Sequence, residues 1–247
     1  MNKVIQNAGL SYVPPVTQKT HQTIEDIFSV INPDMDNEEW KERFVSSGIK
    51  CKEYDLCIDE LGHKGFSNIF TGHLLTKEFC EQAIALAEYK NIWTTDRHEN
   101  YPTTDVLIGD LGLNATYESN VLREYIYPAA KHMWNLEGKE WDSENLCSET
   151  FLVKYRPEAQ AHLSLHHDSS QYTCVVALNE EFEGGGTFFH RQKLVSKGKT
   201  GSFTLHPGQI THRHGAKPVT SGIRYVLISF VNPMTEVENY KVSVKEC

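Results

Sequence analysis

Two kinds of hydrophobic pattern divide the chain. Up to about Asp142 the apolar positions recur at helical spacing; beyond it they fall into short runs punctuated by turn residues. In NPDMDNEEWKERF, Asp36 or Asn37 is placed to cap a helix with an acidic first turn, and Trp40 and Phe44 share one face. KEFCEQAIALAEYKNIW, after Thr76, repeats the pattern with Phe79, Ala83, Leu86 and Ala87, and ESNVLREYIYPAAKHMW does so with Val121, Leu122, Tyr125 and Met133. Such stripes are core faces. TFLVKY, LSLHHDS, YTCVVALN, GTFFHRQ, GSFTLHPG and RYVLISFVN read as strands. EGGG (Glu183 to Gly186), KGKTG, HPGQ and TSG supply the turns. Helices followed by six or more short strands predict an α+β protein built on an antiparallel sandwich or barrel. Residues 1–60, with the extended YVPPVT, read as an irregular or helical N-terminal extension to a domain over 61–247.

Composition narrows the class. With 247 residues, 39% hydrophobic and 23% charged, the chain is long enough for one sizeable core. A formal net charge of −9 argues against nucleic acid held through phosphates. No apolar run approaches a membrane span, and MNKVIQNAGL lacks the apolar stretch of a secretory signal. The six cysteines (51, 57, 80, 147, 174 and 247) are scattered without a CxxC, as expected of free thiols in a reducing, cytoplasmic setting.

The chemistry concentrates in AHLSLHHDSSQYTCVVALN, where His162, His166, His167 and Asp168 crowd seven residues. Side chains alternate across a strand, so His166 and Asp168 share a face and His167 takes the other. His-x-Asp on a strand can present two ligands of a 2-His-1-carboxylate iron site. The second histidine is expected from LHPGQITHRHG, which offers His206, His212 and His214. Arg224 follows His214 by ten residues, and its forked, permanent charge suits a dicarboxylate co-substrate. Competing sites lack their parts. Leu163 stands where a zinc protease of His162/His166 spacing needs its glutamate, no GxSxG is present, and EGGG opens no helix.

KYRPEAQ, HHDSS, VALN, FEGGGTFF, LHPGQITHRHG and GIRYVLISFVNP resemble the catalytic domain of procollagen lysyl hydroxylases. These belong to the prolyl/lysyl hydroxylase group of Fe(II)/2-oxoglutarate dioxygenases. Weaker similarity reaches RHENYPTTDV, so the resemblance covers about residues 65–235. It implies a double-stranded β-helix (a cupin-like jelly roll) flanked by N-terminal helices. It also implies Fe(II) on His166, Asp168 and His214, 2-oxoglutarate on Arg224 and Tyr155, and ascorbate as an optional accessory. The implied reaction is hydroxylation of a peptidyl lysine with release of succinate and CO2; peptidyl proline and then a small molecule or amino acid are the alternatives. The implied partner is a peptide or protein substrate, with a homodimer as an option and neither nucleic acid nor membrane. Asp168 separates the chain from related halogenases, which give up that carboxylate. Val175 stands where the family usually has asparagine, Thr187 and Leu194 replace a cysteine pair, and Gln171 replaces a small residue. Asp105 is a candidate substrate-side carboxylate or, equally, a turn aspartate. The non-enzyme alternatives are a cupin-like metal-binding protein without turnover, which Arg224 argues against, and a structural β-sandwich.

Overall fold

The strand-rich half folds into two antiparallel sheets that share an inner core. The computed structural model describes residues 23–46, 58–98 and 100–234. In chain order the strands are β1 (Asp59–Glu60), β2 (Phe70–His73), β3 (Asp105–Leu107), β4 (Leu146–Tyr155), β5 (Leu163–His166), β6 (Tyr172–Ala177) and β7 (Phe182–Gly184). They continue with β8 (Thr187–Phe189), β9 (Leu194–Ser196), β10 (Ser202–Pro207), β11 (His214–Ala216), β12 (Val219–Gly222) and β13 (Arg224–Pro233). The larger sheet has the order β1-β2-β10-β6-β13-β4-β3 and the smaller β5-β11-β8-β9, while β12 and β7 form a separate pair. With the helices before β4, this is the α+β class that the pattern predicts.

Period-two alternation gives the larger sheet two different faces. Phe151, Val153, Tyr155 and Val226 point inward and pack with Leu163 and Ala216 of the smaller sheet. Leu152, Tyr225, Leu227, Cys174 and Val176 point outward into the core shared with the helices. There the helix Lys77–Lys90 buries Phe79, Cys80, Ala83, Ile84, Leu86 and Ala87, and Thr76 caps it by accepting from the Phe79 N–H.

The helix Asn37–Phe44 starts at Asp36, whose carboxylate accepts from the Glu39 N–H at 2.9 Å. Trp40 and Phe44 are buried on one face; Trp40 lies 5.8 Å from Phe79 by ring centroids and donates its indole N–H to the Val30 carbonyl. This segment therefore packs into the main core. The third apolar stripe buries Val121, Leu122 and Tyr125 as expected, with Met133 partly covered, but Glu118–Ile126 is π-helical. The Tyr127 N–H reaches back to the Leu122 carbonyl, and Pro128, next in line, has no N–H to donate. Apolar spacing does not reveal that register.

LSLHHDS is strand only to His166. Past it the Asp168 N–H leaves the smaller sheet and donates to the Gly208 carbonyl at 2.9 Å, carrying the chain toward β6. Among the described residues no helix is long and apolar enough to cross a membrane, and Cys80 and Cys174 are free thiols. Cys51, Cys57, Cys247 and YVPPVT lie outside the described residues.

Candidate metal centre and its pocket

His166 ends β5, His214 begins β11, and the two are cross-strand partners. Asp168 reaches the same point from the turn that follows β5. One donor atom from each of the three lies within 4.8 Å of the others. Asp168 Oδ1 is 3.2 Å from His166 Nε2 and 3.5 Å from His214 Nε2. Both rings are oriented from behind. His166 Nδ1 donates to the Ser164 carbonyl at 2.8 Å and His214 Nδ1 to the His212 carbonyl at 2.9 Å. A carbonyl can only accept, so each neutral imidazole turns a bare Nε2 lone pair toward Asp168. Three acceptor atoms facing one another fit a cation, and two imidazoles with one carboxylate suit Fe(II).

Burial pushes the Asp168 carboxyl up, but attraction to His214 and His206 and a bond from His166, each in its protonated form, together with the bond from Thr173, outweigh it and hold the group well below the carboxylate range. Thr173 Oγ1 donates to Asp168 Oδ2 at 2.6 Å, leaving Oδ1 for the centre. Gly208 closes the turn: a Cβ there would stand 2.3 Å from the Ser170 carbonyl oxygen.

The centre opens into a cavity of about 370 Å³ between the two sheets. At its deep end Arg224 is 3% exposed. Its Nη2 donates to Thr187 Oγ1 at 3.3 Å, its guanidinium carbon lies 5.5 Å from the Tyr155 ring centre, and its Nε has no partner. No carboxylate pairs with it among the described residues, and burial lowers its pKa. A buried cation of this kind calls for an anion. Tyr155 is buried beside it, its hydroxyl pushed up to about 12 by burial against the opposing pull of the Arg224 charge. Gly185 allows this packing, since a Cβ at its φ of +61° would lie 3.2 Å from Arg224 Cδ.

The remaining histidines divide cleanly. His162 and His167 are exposed, although His167 touches the pocket rim. His206 is fully buried, donates Nδ1 to the Pro207 carbonyl and meets the His214 ring edge-on at 4.6 Å. Burial, with repulsion from His214 whenever that ring is protonated, pushes its pKa down to about 3. His212 is bonded to the Ser67 carbonyl and to Thr211. Val175 lines the pocket on the inner face of β6 and leaves that wall apolar; the side chain of Gln171 is exposed, and Leu194 pairs with Phe189.

Asp105 is neither a turn residue nor open to a substrate. It begins β3, is wholly buried, and is bonded by Arg97 Nη1 at 2.6 Å and by Thr103 Oγ1. The pocket mouth is built by residues that pattern reading passed over: Arg97, His98, Asn100 and Tyr101, with the Tyr101 ring 5.0 Å from His166. Their sole sequence signal is the weak similarity at RHENYPTTDV. Thr173 left no signal, and Thr187 showed only as the replacement of a family cysteine.

No family model matches the chain. Two curated relatives are similar to it over most of its length. One is the multifunctional procollagen lysine hydroxylase and glycosyltransferase LH3 of Rattus norvegicus, 31% identical over 223 residues (84% of this chain, 28% of the relative). The other is the procollagen lysyl hydroxylase and glycosyltransferase of Acanthamoeba polyphaga mimivirus, 34% identical over 217 residues (79% and 23%). The chain thus spans less than a third of the length of either. A solved prolyl-4-hydroxylase from Pseudomonas putida is similar in fold, with a TM-score of 0.52 at 13% identity, covering 69% of this chain and 95% of that one. Sequence similarity at this level, around a buried His-Asp-His cluster, places the chain in the prolyl/lysyl hydroxylase group of Fe(II)- and 2-oxoglutarate-dependent dioxygenases.

Proposed function

We propose that this chain hydroxylates a C–H bond of a peptidyl lysine, consuming O2 and 2-oxoglutarate and releasing succinate and CO2. The observation that carries the reading is Arg224. A guanidinium buried without a counter-ion among the described residues shares one cavity with a His-Asp-His cluster, which is the arrangement a dicarboxylate bound at both ends requires. The relatives' names supply the choice of lysine over proline. Strand order supports a double-stranded β-helix: β4, β6, β10 and β13 lie in the larger sheet, while β5, β8, β9 and β11 lie in the smaller. The catalytic unit in this reading is residues 61–247, buttressed by Trp40 and Phe44 from the preceding segment.

His166 Nε2, His214 Nε2 and one Asp168 oxygen would hold the iron. When bound, Fe(II) supplies O2 activation coupled to oxidative decarboxylation of the 2-oxo acid. The protein orients and excludes. Arg224, steadied by Thr187 and facing Tyr155, takes the distal carboxylate. Val175, Val226 and Ile228 form a dry wall along the co-substrate. Thr173 keeps the second Asp168 oxygen engaged, so that the carboxylate offers one atom to the metal. Ascorbate would serve only to restore Fe(II).

The test is incubation with Fe(II), 2-oxoglutarate, ascorbate and collagen-like peptides carrying lysine or proline. The expected product is a lysyl residue one oxygen heavier, located by fragmentation, with succinate formed in step. Modification of proline alone would move the assignment to the prolyl hydroxylases. Metal uptake without succinate would favour a cupin-like binding protein.

A further inference from the structure

Arg97, which lines the pocket mouth, is flanked by two carboxylates, Asp105 and Glu149, and from this we infer that Glu149 selects the substrate by receiving a cationic side chain beside the mouth. The inference rests on the hydroxylase reading and deepens it by naming the residue that would recognise the lysyl ammonium.

The sheet register fixes where Glu149 stands. On β13, Phe230 pairs with Thr173 of β6 on one side and with Glu149 of β4 on the other. Thr173 is the residue bonded to Asp168, so Glu149 lies on the same rung as the metal cluster, two strand spacings or about 10 Å from the Thr173 α-carbon. It shares the inward face of β4 with Phe151 and Tyr155. Arg224 is six residues along β13 from Phe230, roughly 20 Å away at the closed end. A side chain entering from the mouth therefore reaches the centre from the Glu149 side, with the buried Arg224 guanidinium beyond. The ammonium at the tip of such a side chain would be repelled by that deep cation and drawn sideways to a carboxylate on its own rung, on the Glu149 side.

The mouth has a carboxylate to spare. One guanidinium of the mouth, Arg97, faces two carboxylates that stand beside it, Asp105 and Glu149. Asp105 is wholly buried and is committed to Arg97 and Thr103. Glu149 is 53% exposed at its side chain, bonds Arg97 Nη2 through Oε1, and receives no hydrogen bond at Oε2 among the described residues. Arg97 is itself fixed, its guanidinium carbon 4.9 Å from the Phe151 ring centre and its Nη1 anchored on Asp105. Glu149 is thus held beside Arg97 of the mouth, with one oxygen free of hydrogen bonds among the described residues. Tyr101, Phe151 and Phe230 line the way in and offer ring faces to an aliphatic stem.

Two fluorescently labelled collagen-like peptides that differ only in lysine against norleucine test this. Norleucine keeps the stem and removes the ammonium. Binding is measured under nitrogen to protein loaded with Mn(II) and 2-oxoglutarate, so that no turnover intervenes. Wild type should prefer the lysyl peptide by roughly threefold to fivefold, the upper part of the range of an exposed ion pair. Glu149→Gln should bring that preference to within about twofold, and Glu149→Asp should retain part of it. An undiminished preference in Glu149→Gln, or no preference in wild type, overturns the inference. If wild type takes up the metal but no 2-oxoglutarate, the hydroxylase reading itself fails, whatever the peptides do.

Discussion

Replacing Arg224 by methionine should stabilise the free protein while destroying its response to 2-oxoglutarate. Arg224 is 3% exposed, has no carboxylate partner among the described residues, and meets one hydroxyl at 3.3 Å. Burial alone works against its charge, as its lowered pKa records. Replacing a poorly compensated buried charge by an apolar side chain of similar volume typically stabilises by about 1–4 kcal/mol. For a chain of this size each kcal/mol moves the midpoint by roughly 2–4 °C, so Arg224→Met should melt roughly 2–16 °C above wild type without co-substrate. With 2-oxoglutarate at a hundredfold its Kd, wild type gains about 2.7 kcal/mol from linkage. The variant gains nothing. Thermal unfolding of both proteins with and without 2-oxoglutarate, at fixed Mn(II), reads all four values. A variant that is less stable than wild type and still stabilised by 2-oxoglutarate would refute the reasoning, because Arg224 would then be serving the fold and not the ligand.

His166→Ala should abolish Fe(II)-dependent succinate formation and His167→Ala should leave much of it, since one ring faces Asp168 and the other is exposed; equal loss would displace His166 from the centre. Trp40→Ala should cost roughly 3–5 kcal/mol, read from the urea midpoint, because the ring is 1% exposed against Phe44 and Phe79. A cost below about 1 kcal/mol would mean that the segment before residue 60 does not share the core.

The legible parts of the sequence were those in which one element suffices. β4, β6, β10 and β13 are long enough to show their alternation or apolar run, and they contain Tyr155, Thr173 and Arg224. β1, β3, β7, β9 and β11, of two or three residues, are too short to carry a period. His166 and Asp168 follow from strand geometry, although the strand stops between them. His214 could not be told from His206 and His212 by spacing alone; what separates them is the pairing of β11 with β5, which sets His214 opposite His166. The same holds at the mouth. Asp105 looks like a turn residue until Arg97 is seen to bond it, and Glu149 matters through its place on a rung that joins three strands. Contacts that exist only after the sheet assembles leave little trace in local pattern.

The central claim is that one pocket holds Fe(II) and 2-oxoglutarate together, and an anaerobic titration tests it most directly. Fe(II) is added to the purified protein, then 2-oxoglutarate, while the visible spectrum is followed for the charge-transfer absorption of a metal chelated by a 2-oxo acid. The account predicts that the band appears in wild type and is absent in His166→Ala. Iron uptake without the band in wild type would contradict it.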